Sequence, residues 1–265
     1  MSQSQRQRDD QADRDSAGPA VVFHLLGTID YDACDRLQRR LIDGANLRDD
    51  GRIEVLLCEH SPIITVGRRG SRRHIRIGSD ELRRRQWEVR WVARGGGGVL
   101  HAPGQLAIHA VVPLRWHGWT LAGYQRRLSD GLAAALGQLN AVVEPDAAHG
   151  LSGRTGQIVH LGVGVRDGVA HHGAFLNVNP TFADFQAIET MPPIRTSTGP
   201  RGAMSSLLAE HRQPVRMASV RAAVTEHLAA AFGCDHYHIY TGHPLLPKPR
   251  AASSSLARYA GRGPG

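Results

Sequence analysis

Two spacings of apolar residues run along this chain, one helical and one strand-like, and the switches between them mark its elements. In YDACDRLQRRLIDG (31–44), Ala33, Cys34, Leu37 and Leu41 recur at helical spacing, with Asp30 placed to cap the start and Gly44 near the end. RIEVLLCEH (52–60) and IITVG (63–67) read as strands parted by a His60-Ser61-Pro62 turn, because proline removes a ladder donor and biases its predecessor toward extended backbone. QWEVRWV (86–92) and QLAIHAVVPL (105–114) are strands flanking a glycine-rich loop. In LAGYQRRLSDGLAAALGQL (121–139), Leu121, Tyr124, Leu128, Leu132, Leu136 and Leu139 share a helical face fit to cover a sheet. IVHLGVGV and GVAHHGAFLNVN are joined through Arg166-Asp167-Gly168, a strong hairpin signal. A last helix, PVRMASVRAAVTEHLAAAFG (214–233), has Pro214 near its first turn and Gly233 at its end, and the strand HYHIY follows. The expected fold is α/β (α+β), a mixed β-sheet flanked by helices. Residues 1–19 and 243–265 are polar or low-complexity and are expected to be disordered tails around one folded body, 20–242.

Composition narrows the function classes. A chain of 265 residues with 41% hydrophobic residues is ample for one sizeable core. No run approaches the ~18 apolar residues of a membrane span, and the N-terminus lacks the apolar centre of a signal peptide, so a cytoplasmic protein with no membrane association is expected. The three cysteines, Cys34, Cys58 and Cys234, have no pair spacing, which argues against a disulfide framework and fits a reducing compartment. A formal charge of +8 raises the question of nucleic acid, but the basic residues are dispersed and aromatics are only 5%, so no nucleic-acid partner is expected. Of the 32 basic residues only Lys248, in the C-terminal tail, is a lysine. Arginine holds its proton too tightly to serve as a base or amine nucleophile, so chemistry that needs a buried lysine is excluded by counting.

The candidate chemistry centres on RGGGGVLHAPGQ (94–105). A four-glycine run disfavours order unless something approaches its backbone closely. No Lys-Ser/Thr pair and no helix directly follows, which argues against a phosphate cradle or a dinucleotide fingerprint. Two readings stay open: a flexible hairpin tip, or a backbone surface pressed on an elongated ligand, with Arg94 as a fixed charge and His101 as donor or acceptor. His171 and His172 are adjacent on a strand and should face opposite sides of it. His236 and His238 share a strand face, but no third or fourth ligand has recognisable spacing, and no metal or cofactor is expected.

Four blocks, LLCEHSPIITVGRRG (56–70), RGGGGVLHAPGQLAIHAVVPL (94–114), QIVHLGVGV (157–165) and HHGAFLNVNP (171–180), resemble in order and spacing the signature of the lipoyl(octanoyl) transferase family, within the biotin/lipoate protein ligase superfamily. The resemblance covers most of the folded body. It implies the ligase-type catalytic fold, with 20–242 as a transferase-like catalytic domain. It also implies an acyltransferase activity in protein lipoylation that moves an octanoyl group from acyl carrier protein to a lysine of a lipoyl domain, in 2-oxoacid dehydrogenase or glycine cleavage proteins. It implies a substrate-binding wall of Arg94, Gly95, Gly96, Gly97, Gly98, Val99, Leu100 and His101, with His160, Leu161 and Gly162 and with His172, Gly173 and Ala174. A monomer is expected.

This chain departs from the family pattern at two chemically linked positions. The family's activating lysine position is Gln157, and its cysteine position falls near Met191, Pro192 and Pro193, with no cysteine between 59 and 233. A thiol needs a nearby cation to become a ready thiolate, so losing both together is coherent. The alternatives are a transferase with altered chemistry or a catalytically inactive homologue that binds acyl groups, acyl carrier protein or lipoyl domains. Within the first, Cys58 reads as part of a buried strand, Cys34 as a core helix position and Cys234 as following the last long helix, and none follows the loop where the family's cysteine belongs. The hydroxyls of Thr196, Ser197, Thr198, Ser205 and Ser206 would need His172 or His101 as base, and turn formation is the plainer reading of them. Direct transfer from the activated thioester needs binding groups and an oxyanion site but no protein nucleophile.

Overall fold

Alternating strands and helices in the computed structural model build a large sheet with a small one laid on its face. The structure describes residues 20–146, 150–185, 187–188, 195–196, 199–200, 204–234 and 236–246. The strands are β1 (Val21–Thr28), β2 (Ile53–Glu59), β3 (Ile63–Val66), β4 (Glu88–Trp91), β5 (Gly98–His101), β6 (Gln105–Pro113), β7 (Glu144–Asp146), β8 (Gly150–Ser152), β9 (Gln157–Arg166), β10 (Val169–Asn177), β11 (Arg195–Thr196), β12 (Gly199–Pro200) and β13 (Tyr237–Thr241). The helices are α1 (Tyr31–Arg48), α2 (Ser79–Arg85), α3 (Leu121–Gln138), α4 (Phe182–Phe185), α5 (Leu207–His211) and α6 (Met217–Ala231). The main sheet has the order β13-β1-β2-β6-β10-β9-β8-β7, and a second sheet the order β4-β3-β5. The main sheet is mixed: β1 runs parallel to β2 and β13, whereas β2, β6, β10 and β9 pair antiparallel in sequence.

Strand alternation splits the main sheet into two faces. Val55 and Leu57 of β2 and Leu106, Ile108, Ala110 and Val112 of β6 point to one side, where Tyr124, Leu128, Leu132 and Leu136 of α3 and Val220, Val224 and Leu228 of α6 cover them. Leu56, Cys58, Ala107, Val111 and Phe175 point to the other side, under Cys34, Leu37, Leu41 and Ile42 of α1. A third apolar cluster, around Ile64, Val66, Leu82 and Leu100, joins the small sheet to α2. No helix among the described residues is long and apolar enough to cross a membrane.

Several elements differ from the pattern reading. Asp30 does cap α1, accepting from the Ala33 N–H at 2.9 Å, but the helix continues through Gly44 to Arg48. A residue ends a helix here by turning left-handed; that residue is Asp49, at φ 48°, and not Gly44. Leu121 starts α3 in solvent, at 39% exposure, so the covering face begins at Tyr124. α6 starts at Met217, three residues after Pro214, because Asn179 grips Val215 through both its N–H and C=O and holds that segment extended. The glycine run does not join the two strands seen on either side of it. It connects β4 to the unforeseen strand β5, and both pair with β3. His243 to Leu246 still touch the folded body, with Leu246 packing on the α1 core and the His243 ring 4.5 Å from His24. The expected tail 1–19, and residues 247–265 of the expected tail 243–265, lie outside the described residues.

Candidate functional site

The loop from Arg94 to Gly97 lies directly across β9 on the α1 side of the main sheet. The Gly95 N–H donates to the Val163 C=O at 2.8 Å, and Gly67, Arg68 and Arg69 donate to the carbonyls of Gly97, Arg94 and Gly96. This is close backbone packing, which is what the glycines permit. Gly96 has φ +79°, and a Cβ there would stand 2.7 Å from His160 Nε2. Gly164 on β9 leaves room for the Ala93 C=O, which a Cβ would meet at 2.4 Å. The three segments named from the sequence, 94–101, 160–162 and 172–174, therefore stand together over β6, β9 and β10. All their residues are buried except Gly95, which is half-buried.

Arg94 is the centre of this arrangement. It is fully buried, donates through Nη1 to Gly95 C=O and through Nη2 to Thr65 C=O and Oγ1, and sits 5.6 Å over the Phe175 ring. Its Nε–H has no partner among the described residues, and neither has the buried hydroxyl of Tyr31. Burial lowers the guanidinium to about 10, partly countered by Tyr31, so Arg94 remains a cation at neutral pH.

From Arg94 a chain of hydrogen bonds runs through the motif residues. Thr65 Oγ1 accepts from Arg94 and donates to His101 Nε2 at 2.8 Å; His101 Nδ1 donates to Gln105 Oε1 at 2.9 Å. Gln105 Nε2 donates to Asn177 Oδ1 at 2.9 Å and to the Leu100 C=O, and Asn177 Nδ2 donates to the Ser205 C=O. The direction of the chain assigns the His101 tautomer. Both its ring nitrogens are engaged, and burial, with His60 and Arg94 nearby, pushes its pKa well below the usual histidine range. His101 therefore positions the loop as a neutral ring with both nitrogens engaged within the fold.

His171 and His172 do not face opposite sides of β10. Their ring centroids are 4.7 Å apart, because His172 adopts a left-handed backbone at φ 56° and breaks the alternation. Its N–H donates to Gln38 Oε1 at 2.9 Å, which ties the strained residue to α1. Burial, with His109 and His171 beside it, also holds His172 well below the ordinary range, and burial and the arginines around His171 bring that residue to about 4. A cleft of about 610 Å³ opens beside this pair, walled by Tyr31, Gln38, Ala93, Arg68 and Arg166. A second cleft, about 830 Å³, lies at the β1–β13 edge; neither cleft is walled by residues 94–101 or 160–162, and of the expected substrate wall only His172 lines the first.

The remaining positions read differently. Gln157 is fully buried; its Nε2 donates to Asp146 Oδ2 at 2.9 Å and its C=O accepts from Ser205 N–H at 2.7 Å. The neutral side-chain amide thus ties β9 to β7, and the backbone carbonyl ties it to the segment after β12. Met191, Pro192, Pro193, Ser197 and Thr198 lie outside the described residues, as does the Thr196 side chain. Ser206 caps α5 through its Oγ and Ser205 bonds Thr155, so both hydroxyls are spent on local structure. His236 and His238 are exposed. The reading of single elements missed four residues that converge beneath α1, namely Cys34, Cys58, His60 and His109. A Cys58 hydrogen bond and the nearby His109 and His60 hold the Cys34 thiol well below its ordinary range, while burial pushes Cys58 up. Only the Cys58-x-His60 spacing, at the end of β2 and in the turn after it, hinted at the group.

Residues 30–229 match the model of the lipoyl protein ligase A/B catalytic domain. The chain belongs to this family. An octanoyltransferase of Roseiflexus sp. (strain RS-1) is 32% identical over 247 residues, covering 90% of this chain and 98% of that protein. One from Chloroflexus aggregans is 36% identical over 176 residues, 63% of this chain and 77% of that protein. Among solved structures, a bi-partite lipoate protein ligase from Thermoplasma acidophilum, studied with its E2 lipoyl domain, superposes with a TM-score of 0.61 at 15% identity, over 84% of this chain and 88% of that one. A lipoate-protein ligase A bound with ATP gives 0.59 at 13% identity, over 84% and 89%. The fold is that of the lipoate-protein ligase catalytic domain, and the blocks that carried the resemblance are the ones that meet around Arg94.

Proposed function

We propose that this member of the family is an octanoyltransferase of protein lipoylation: it takes an octanoyl group from acyl carrier protein and places it on a lysine of a lipoyl domain, in a 2-oxoacid dehydrogenase or glycine cleavage protein. It acts as a monomer in the cytoplasm and uses no cofactor. The observation that carries this reading is the match to an octanoyltransferase along nearly its whole length. The convergence of 94–101 with β9 and β10 beside a cleft at His171 and His172 supports it.

In this reading the acyl chain lies in the cleft beside His171 and His172, at whose edge Ala93 leads into the Arg94–His101 segment packed on β9. In the transfer, the lysine amine attacks the thioester carbonyl, the carbon–sulfur bond breaks, and the carrier thiolate leaves with a proton taken from the amine. The negative charge that develops on the carbonyl oxygen needs a fixed donor in a dry site. Arg94, cationic, buried and with Nε–H to spare, supports that role. Surface arginines such as Arg39 and Arg68 at the cleft would speed encounter with acidic carrier and lipoyl domains.

The test is to incubate the protein with octanoyl-acyl carrier protein and a lipoyl domain and to weigh all three intact. Octanoyl mass on the lipoyl domain is the expected result. Tight binding without transfer would overturn the reading in favour of an inactive binder. An adduct on the protein would locate a nucleophile, and transfer without one would identify direct aminolysis. Octanoyl transfer that appears only when Met191→Cys or Pro193→Cys is combined with Gln157→Lys would mean that this chain has lost its catalysis.

A further inference from the structure

Beneath α1, and outside the transfer site, lies a cluster to which no role has been assigned. Cys34 comes from α1, Cys58 from the end of β2, His60 from the turn that follows, and His109 from the middle of β6. One donor atom from each lies within 4.8 Å of those of the other three, and none of the four residues is more than 1% exposed. We propose that Cys34, Cys58, His60 and His109 bind one zinc ion in a closed tetrahedral site that pins α1 to the main sheet.

The distances suit that ion. Zinc bonds of about 2.3 Å to sulfur and about 2.05 Å to nitrogen set tetrahedral edges of about 3.6 Å between sulfur and nitrogen and about 3.3 Å between two nitrogens. Cys58 Sγ lies 3.7 Å from His60 Nε2, and His60 Nε2 lies 3.2 Å from His109 Nε2. His60 is also oriented as a ligand should be. Its Nδ1 donates to the Ile29 C=O at 3.0 Å, which leaves the lone pair on Nε2, the atom that faces the cluster.

The donor set selects the class of metal. Two thiols and two imidazoles are soft or borderline donors, unsuited to magnesium or calcium and well suited to zinc. Two thiolates balance the charge of a divalent ion, so the loaded site is neutral, as a dry interior demands. Without an ion the same groups hold one another only through one imidazole–imidazole hydrogen bond and weak thiol bonds away from water. Four protein ligands leave no open position, so the ion is structural and performs no Lewis-acid step. Its ligands nonetheless back the transfer site: His60 is 5.6 Å from the ring of His101 and His109 is 5.9 Å from that of His172.

The test needs no activity. Protein purified under reducing conditions without chelator is expected to carry one zinc per chain by elemental analysis. Reduced apoprotein titrated with cobalt(II) should develop the thiolate-to-cobalt charge-transfer band and the intense visible bands of a tetrahedral ion, saturating at one equivalent and erased by zinc. Cys34→Ser and His109→Ala should lose the metal, whereas Cys234→Ser, which changes the third cysteine, should keep it. Because ligand variants can misfold, the wild-type titration decides. Absence of the charge-transfer band in reduced, folded wild-type protein would overturn the proposal, as would full metal content in Cys34→Ser.

Discussion

The two faces of the main sheet are made by the same strands and obey different rules. On β6, Leu106, Ile108, Ala110 and Val112 face α3 and α6 and meet only apolar partners. The alternate residues include His109 and look toward α1, where they meet Cys34, Cys58, His60, Phe175 and the ring of His172. One face stabilises the domain by area removed from water. The other spends that advantage on buried polar groups, a left-handed histidine and a buried guanidinium. The difference teaches that the buried polar groups are concentrated on one side, so that the opposite side can hold the strands in place.

The contrast can be broken most forcefully on the apolar face. Leu132→Ala should cost about 2–5 kcal/mol of unfolding free energy, read by denaturant titration, and leave transfer per folded molecule intact. On the other face, Arg94→Gln should lower octanoyl transfer by roughly a hundredfold, a loss of about 3 kcal/mol in the transition state, with the domain still folded. A larger loss of stability than of activity would reverse the assignment of the faces. Gly96→Ala forces a side chain into left-handed backbone against His160 and should cost about 1–3 kcal/mol, measured the same way.

Acid should expose the polar face next. His101, His172 and His171 are held neutral in the fold, so their contribution is fully present above a pH of about 6.5. It is lost as pH falls toward their lowered folded values, about 4 for His171, because the unfolded chain takes protons that the fold refuses. Each such histidine steepens the fall in stability by at most about 1.4 kcal/mol per pH unit, visible in melts between pH 7 and 4.5. The smallest effect belongs to neither face: Asp35→Asn breaks an exposed pair with Arg39 and should change stability by about 0.5 kcal/mol or less.

The sequence by itself determined the fold class, the hairpin at Arg166-Asp167-Gly168, the covering faces of α1 and α3, and the blocks that bring 94–101 beside β9 and β10. These are local or periodic signals, set by which positions can leave water together and where glycine, proline or a cap interrupts the run. Only the tertiary structure decided what the glycines contact, because β5 is hidden inside their run and its partner β3 lies some thirty residues earlier. It also decided that His171 and His172 sit side by side, since one left-handed residue cancels a period-two rule and its Gln38 anchor comes from the distant helix α1. The gathering of Cys34, Cys58, His60 and His109 was invisible for the same reason. Strand pairing sets it, with Leu56 opposite His109 and Cys58 opposite Ala107, and contacts between distant strands leave no periodic mark in either one.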